Sequence, residues 1–426
     1  MVPSARMKKS IPSRPRGERL GDGRVWLWLA LATALLAATE SRAFDAASTF
    51  DRVWTDARDH IYDGMLAERF FNQEDRSRLR EGLRLAPDVA TLADSINRFL
   101  EQIHVSHLHM FTADDLEFYV YGSTWSQRPL DTLEVPHIGI QWARRSESCV
   151  IRGVLEGYPA AKAGLRRGDV IVSAGGRPFH PFRSFANGEA QVLTVRRGLR
   201  DLLFHVRPIR EAPIRSLLQA MRSSTRQLQV GSYRVGYIHL WTCLSLPIEE
   251  EFARLIRDSL GTSDGIVLDL RDGIGGGWFG FLDPFFPDRR GYAEVTATGR
   301  SGVVQGVRPD SLAPHSCFAG PMVVLINEGT RSGKEAIAFQ MKESKRARLV
   351  GTTTAGAFRG GQFYAGPGGD YILVVPLNHL LLGGQDLEGQ GVVPDVEASF
   401  PLEAHPPGDP QLERGLVEIR GMLDRH

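Results

Sequence analysis

The sequence predicts an α/β protein with a sheet buried on both faces, a small β unit set into the chain ahead of it, and a helical region before that. Three observations predict this. Beyond residue 230, strand-like and helix-like segments alternate: 233–240, 248–260, 265–270, then 348–351, 371–376 and 392–396. A fully apolar run at 321–326 (Pro-Met-Val-Val-Leu-Ile) enters a tight turn at 329–333, and a helical pattern follows over 335–342. Between about 131 and 210, short strand patterns and glycine turns form a unit of their own.

The chain has 426 residues, enough for two or three domains. Net charge is +1 with 24% charged residues, so no global field draws it to nucleic acid or acidic surfaces. Cys149, Cys243 and Cys317 form no CxxC pair, which argues against a metal cluster; they allow one disulfide with one thiol left over. No metal or other cofactor is expected.

Five segments follow in order. Residues 1–43 read as a signal peptide: a basic leader from Arg6 to Arg24, an apolar run at 25–38, and the small-residue stretch Ser41-Arg42-Ala43. The run is short for a membrane span, which needs about 20 residues. An uncleaved anchor is the second reading. A cleaved leader puts the mature chain outside the cytoplasm, in a periplasm or secreted; only the anchor would bring a membrane contact.

Residues 44–130 form a helical region. Phe50, Val53, Trp54, Ala57 and Ile61 recur at helical spacing, as do Leu92, Ile96, Phe99, Leu100 and Ile103, with 73–78 as a polar connector. The second helix is expected to end in the run containing His104, His107 and His109. Such histidines suit a helix end, a metal, or a general base if a nucleophile lies elsewhere. Without a carboxylate or cysteine pattern of metal-ligand spacing beside them, the metal reading is not adopted. Residues 131–210 are the inserted unit, 211–405 the α/β core, and 406–426 a closing helix.

Within the core, Ser332 stands where the turn becomes a helix. A serine there caps well. Its hydroxyl also stands beside free N–H groups at the helix start, an arrangement that suits a nucleophile and an oxyanion. The run Gly275-Gly276-Gly277 after a strand lets backbone approach a ligand closely, and no GK[ST] follows to make it a phosphate loop.

The string Pro-Ala-Ala-Lys-Ala-Gly-Leu-Arg-Arg-Gly-Asp at 159–169 resembles a PDZ domain of the kind bacterial proteases carry. The resemblance implies a groove for a peptide C-terminus, with the backbone of Ile138, Gly139 and Ile140 receiving its carboxylate. The strings LDLRDGIGGG, GTRSGKEA, RLVGTTTAG and LEGQGVVPDVE, in this order after that unit, resemble the tail-specific (C-terminal-processing) serine protease family, over residues 45–400. That resemblance implies a crotonase-like (ClpP/crotonase) α/β core with an inserted PDZ domain and an N-terminal helical cap. It implies Ser332 as nucleophile, with Gly333 and either Gly275 or Gly276 as oxyanion donors.

One position departs from the family. Members with a serine–lysine dyad carry the lysine where this chain has Ala357. Lys334 does not replace it: two residues along a helix is about 200° around the axis. Arg359 stays protonated. A second branch, similar to the tricorn protease core, takes its base from a Ser-His string in the cap, and Ser106-His107 matches it. An orienting carboxylate is then expected. The resemblance favours Glu388; spacing favours Glu335, three residues past Ser332 on the same helix face. Ser106 is left between holding a substrate group and ending the helix.

The expected function is a secreted or periplasmic serine endopeptidase acting on polypeptides through an acyl-enzyme on Ser332, with His107 as base. The alternative is an inactive, protease-like protein that binds peptide or apolar ligands, as the retinoid-binding relatives of this fold do. A third is a PDZ scaffold.

Overall fold

The apolar run at 321–326 becomes the strand Met322–Ile326, buried at every position. It lies inside a six-stranded sheet of order Arg226–Val230, Tyr233–His239, Gly265–Asp269, Met322–Ile326, Arg348–Gly351, Val396–Glu397. All neighbours are parallel except the first pair. Strand side chains alternate between faces. Met322, Val324 and Ile326 pack with Ile238, Leu268 and Ile337, while Val323 and Leu325 pack with Val267, Val350 and Ile419. Helices Pro213–Ser224 and Gly333–Glu343 cover the first face, and Pro410–Leu423 covers the second. With no face left to water, the strand needs no polar alternation. The computed structural model describes residues 44–125, 133–145, 148–403, 406 and 408–425. The expected leader at 1–43 lies outside the described residues.

A second sheet runs His109–Thr112, Tyr371–Leu382, Val295–Thr298, Val304–Val307, with Gly360–Ala365 also on Tyr371–Leu382. The N-terminal helices pack onto it: Trp54, Leu92, Ile96 and Phe99 share one apolar cluster with Tyr371, Leu373 and Val375. Two local expectations are corrected here. Residues 73–78 are not a connector but open the helix Gln73–Leu83, capped by the Asn72 side chain on the Asp75 amide at 2.9 Å. Arg76 and Arg80 of that helix clasp Asp51, each at 2.9 Å, and Leu79 and Leu83 reach the Trp54 cluster. Its contact side is thus supplied partly by arginine, which a search for apolar periodicity passes over. The histidine run ends the helix only at its first member: His104 is the C-cap of the 3-10 turn Glu101–Ile103 that extends Val89–Leu100. His104 and His107 take left-handed backbone angles (φ 56° and 60°), and His109 begins a strand.

Residues 135–211 form the inserted unit. Its neck pairs Val135–His137 with Ile209–Glu211. Beyond the neck lie Ile140–Arg145, Ser148–Val154, Val170–Ala174, Gln191–Arg197 and Arg200–Val206, joined as antiparallel neighbours. The helix Pro159–Ala163 stops at Gly164, whose φ of 84° is the left-handed stop expected of a glycine there. Gly139, at φ 78°, splits 135–142 into two strands instead of the single one its apolar pattern suggests. Cys243 and Cys317 are free thiols.

A buried charge cluster ties the C-terminal helix to the sheet. Asp269, wholly enclosed at its strand end, accepts from Arg271 Nη2 at 2.5 Å. The same guanidinium bonds both Asp409 oxygens at 2.7 and 2.8 Å and Gln411 Oε1 at 3.1 Å. Asp409 in turn caps Pro410–Leu423 through the Gln411 and Leu412 amides at 3.1 and 3.0 Å. Arg271→Met would leave the Asp269 carboxylate without its cation. We expect it to lower unfolding free energy by about 3–5 kcal/mol, measured by denaturant titration. A loss below about 1 kcal/mol would show that the cluster adds nothing net.

Candidate active site

Three adjacent parallel strands, Gly265–Asp269, Met322–Ile326 and Arg348–Gly351, end side by side. The loops that leave them hold the glycine run, Ser332 and residues 352–358. Open α/β sheets place ligands beyond the carboxyl ends of their strands, and every singled-out core residue except Glu388 falls there.

Ser332 sits at φ 57°, ψ −130°, a conformation that typically costs a non-glycine residue about 1–3 kcal/mol. Glu335 holds it there. Its Oε2 accepts the Ser332 amide at 3.0 Å and the Ala357 amide at 2.9 Å. Its Oε1 accepts the Thr354 hydroxyl at 2.6 Å and the Gly356 amide at 2.7 Å. Burial pushes the Glu335 carboxyl above its ordinary value, against these four bonds, which favour the charged form. Glu335 is therefore a clasp between the serine turn and the 354–357 loop.

The glycines pack directly against the serine. A Cβ on Gly275 would fall 2.4 Å from Ser332 Cβ and 2.9 Å from its Oγ; one on Gly333 would fall 2.0 Å from the Gly276 carbonyl oxygen. Only glycine allows either approach. The Gly333 amide is the first of its helix and has no intrahelical acceptor.

Glu388 binds the Ser-His string. Its Oε1 accepts the Ser106 amide at 2.7 Å, and its Oε2 accepts the Ser106 hydroxyl at 2.8 Å and the Phe358 amide at 2.7 Å. Ser106 Oγ lies 2.9 Å from His107 Nδ1. An ionised carboxylate only accepts, so the Ser106 proton points to Glu388 and a Ser106 lone pair faces His107. That assigns the imidazole proton to Nδ1 and leaves Nε2 bare. Burial, helped by the positive charge of Arg331, lowers the His107 pKa to about 3, so the ring is neutral at ordinary pH. His109 is lowered to about 4 by the same two causes, and its Nε2 lies 3.1 Å from the Asn97 amide nitrogen.

The site thus joins His107, Ser106 and Glu388 in one chain, and Ser332, Glu335, Gly333, Gly275 and Gly276 in another. Among the described residues no hydrogen bond links His107 to Ser332. His107 lines a cleft of about 700 Å³ together with Ser106, Tyr121, Trp142, Gly273 and Arg331, so the neighbour of Ser332 reaches that wall. Arg331 directly precedes Ser332, and its charge reaches His107.

Ile138, Gly139 and Ile140 stand apart, around a void of about 10 Å³ closed by Leu116, Phe182, Pro213 and Leu217. The Gly139 amide donates to His137 Nδ1 at 3.1 Å, and the Phe182 ring packs on Trp142 with centroids 5.4 Å apart. In this conformation that loop has no room for a carboxylate. Among the described residues no cluster of histidine, cysteine and acidic side chains could hold a metal.

Sequence reasoning left the role of Ser106 open and did not foresee Arg331 as a charge acting on the histidine. The adjacency of Ser106 and His107 was the one available signal for the first; nothing along the chain signals the second.

Residues 234–398 match the model of peptidase family S41, and residues 150–187 match a PDZ domain model. Residues 234–398 of the chain thus carry the peptidase family S41 pattern. The chloroplastic carboxyl-terminal-processing peptidase 2 of Arabidopsis thaliana is 26% identical over 344 residues, covering 74% of this chain. The chain spans 60% of that relative's length. Among solved structures, the photosystem II D1 C-terminal processing protease superposes with TM-score 0.51 at 18% identity, over 88% of this chain and 96% of its own. The tricorn protease does so with TM-score 0.50 at 17% identity, over 89% of this chain and 37% of its own. At these identities the likeness is one of fold.

Within this site, Arg331 opposes a second positive charge on His107. Arg331→Gln should therefore raise the His107 pKa and move the acidic limb of any rate profile that needs the neutral ring to higher pH. A ring titration by NMR, or the limb itself, checks this; a downward shift would contradict it.

Proposed function

We propose that the chain is a serine endopeptidase of the histidine-base branch, working in a periplasm or after secretion. In this reading the core is crotonase-like and the N-terminal helices form a cap over its site. The observation that carries the proposal is the Glu388–Ser106–His107 relay. It fixes the imidazole tautomer and leaves Nε2 unprotonated on the wall of the cleft that Arg331, the neighbour of Ser332, also lines.

The chemistry follows from that geometry. A polypeptide fills the cleft and brings Ser332 Oγ within reach of His107 Nε2; such bonds commonly tighten only in the complex. Nε2 takes the hydroxyl proton as Oγ attacks the peptide carbonyl. The oxyanion lies between the Gly333 amide and that of Gly275 or Gly276, a contribution of about 2.7–4 kcal/mol for a single such donor. The imidazolium then protonates the leaving amine. Water, deprotonated by the same nitrogen, releases the acyl group. Ser106 and Glu388 touch no substrate atom in this scheme. They hold the ring and stabilise its positive charge, and Glu388 replaces the aspartate of a simpler triad at one remove. The PDZ unit holds or gates the substrate's C-terminal end once its closed loop opens.

A fluorophosphonate probe and an unfolded protein substrate test the proposal. Wild type should label at Ser332 and cleave. Ser332→Ala should do neither, and His107→Ala should lose at least about 10²-fold with its melting temperature kept. Glu388→Gln should fall between the two and wild type. Folded wild type that takes no label would favour a ligand-binding protein on a protease fold. Full activity in His107→Ala would end the assignment of the base.

A second measurement reads the proton chemistry. Activity needs neutral His107, and its depressed pKa puts the acidic limb far below the ordinary histidine range near 6.5. Hydrolysis should therefore persist at pH 5, where an unperturbed histidine would be mostly protonated. Loss of activity with a midpoint near 6.5, in protein that remains folded, would contradict the buried geometry.

A further inference from the structure

Lys334 is wholly buried, yet it has no part in the mechanism above. Its Nζ donates to the Asp272 carbonyl at 2.6 Å and reaches the Arg271 carbonyl at 3.4 Å. Those carbonyls belong to a strained turn: Asp272 is at φ 47° and Gly273 at φ 74°. Two residues on lie Gly275 and Gly276. A Cβ on Gly273 would come within 2.9 Å of the ammonium, so turn and lysine are fitted to each other.

The position of this side chain in the fold gives it a consequence. The two oxyanion donors come from chain segments about 60 residues apart, and neither bonds the other. Lys334 directly follows Gly333 on the nucleophile helix, and its side chain ends on the turn that leads into Gly275 and Gly276. We infer that Lys334 is a positioning residue for the serine chemistry: its ammonium draws the 271–273 carbonyls inward and so sets the glycine-run donor against the Gly333 donor across the oxyanion site. The inference rests on the serine-peptidase reading above.

The surroundings suit a charged tie. Cys243, Asp269 and Asp272 all favour the ammonium, and a charge on His239 would oppose it. Burial outweighs the acids and lowers the lysine pKa to about 8. The sign follows: the ammonium is present below that pH and is lost as pH rises through it.

The test uses the full chain with Lys334→Met and Lys334→Gln, a fluorophosphonate, and an unfolded protein substrate, with melting temperature as the control for fold. Both variants should keep Ser332 accessible and KM within about twofold of wild type, while kcat and acylation rate fall by about 10²-fold. Wild-type acylation should weaken as pH rises through about 8, a limb absent from both variants. Folded variants with wild-type kcat overturn the inference. If neither variant folds, the wild-type profile decides: a rate that stays flat to about pH 10 in folded protein overturns it. If wild type takes no label at all, the peptidase reading falls and this inference with it. Wild-type labelling beside unaltered variants overturns this inference alone.

Discussion

One carboxylate joins two distant segments of the chain. Glu388 takes the amide and hydroxyl of Ser106, 282 residues earlier, and the Phe358 amide from the loop beside the serine turn. The N-terminal helices pack on the second sheet through apolar contacts that specify area, not register. The Glu388 bonds supply the register, because a short charged hydrogen bond tolerates little displacement. Asp386 holds the Glu388 amide at 3.0 Å while pairing with Arg359 and His379, so the carboxylate is itself anchored.

The serine turn solves the opposite problem. It needs a left-handed serine and two glycines pressed against it, an arrangement that would relax if unsupported. Glu335 supports it from below with both oxygens, and the Ala357 carbonyl accepts the Ser332 amide at 3.1 Å. Position 357, an alanine where the serine–lysine resemblance leads one to expect a lysine, supplies backbone to the turn. The charge such a lysine would bring is absent, and a neutral imidazole faces the cleft from another segment.

The PDZ unit grips the same loops. Arg167 reaches Asp272 at 3.0 Å and pairs with Glu328, Arg152 lies 3.5 Å from Asp272, and Gln141 Oε1 accepts the Gly273 amide at 2.8 Å. Glu156 bonds the Trp241 indole at 2.7 Å and lies 3.1 Å from His239. The glycine run is thus flanked by contacts from two domains, while the void beside Ile138–Ile140 is lined in part by Phe182 of the same unit. Contact with the site and closure of the groove coexist in one conformation.

Much of this was legible in the chain itself. The apolar run before Ser332, the glycines after Asp269, the turn signals of the inserted unit and the Ser-His pair are local patterns, and local patterns are set by backbone sterics and by burial period. The sequence alone therefore determined the α/β core, the inserted PDZ unit, the nucleophile candidate and the histidine worth testing. It did not decide between Glu335 and Glu388, because both have plausible spacing and each oxygen's partner comes from a distant segment. Tertiary structure placed Glu335 on the serine turn and Glu388 on Ser106, the neighbour of the histidine. It also turned a polar stretch at 73–78 into a helix, closed the Ile138–Ile140 loop, and enclosed Lys334. Each of these depends on which charges and amides meet across the fold, and no period along the chain records that.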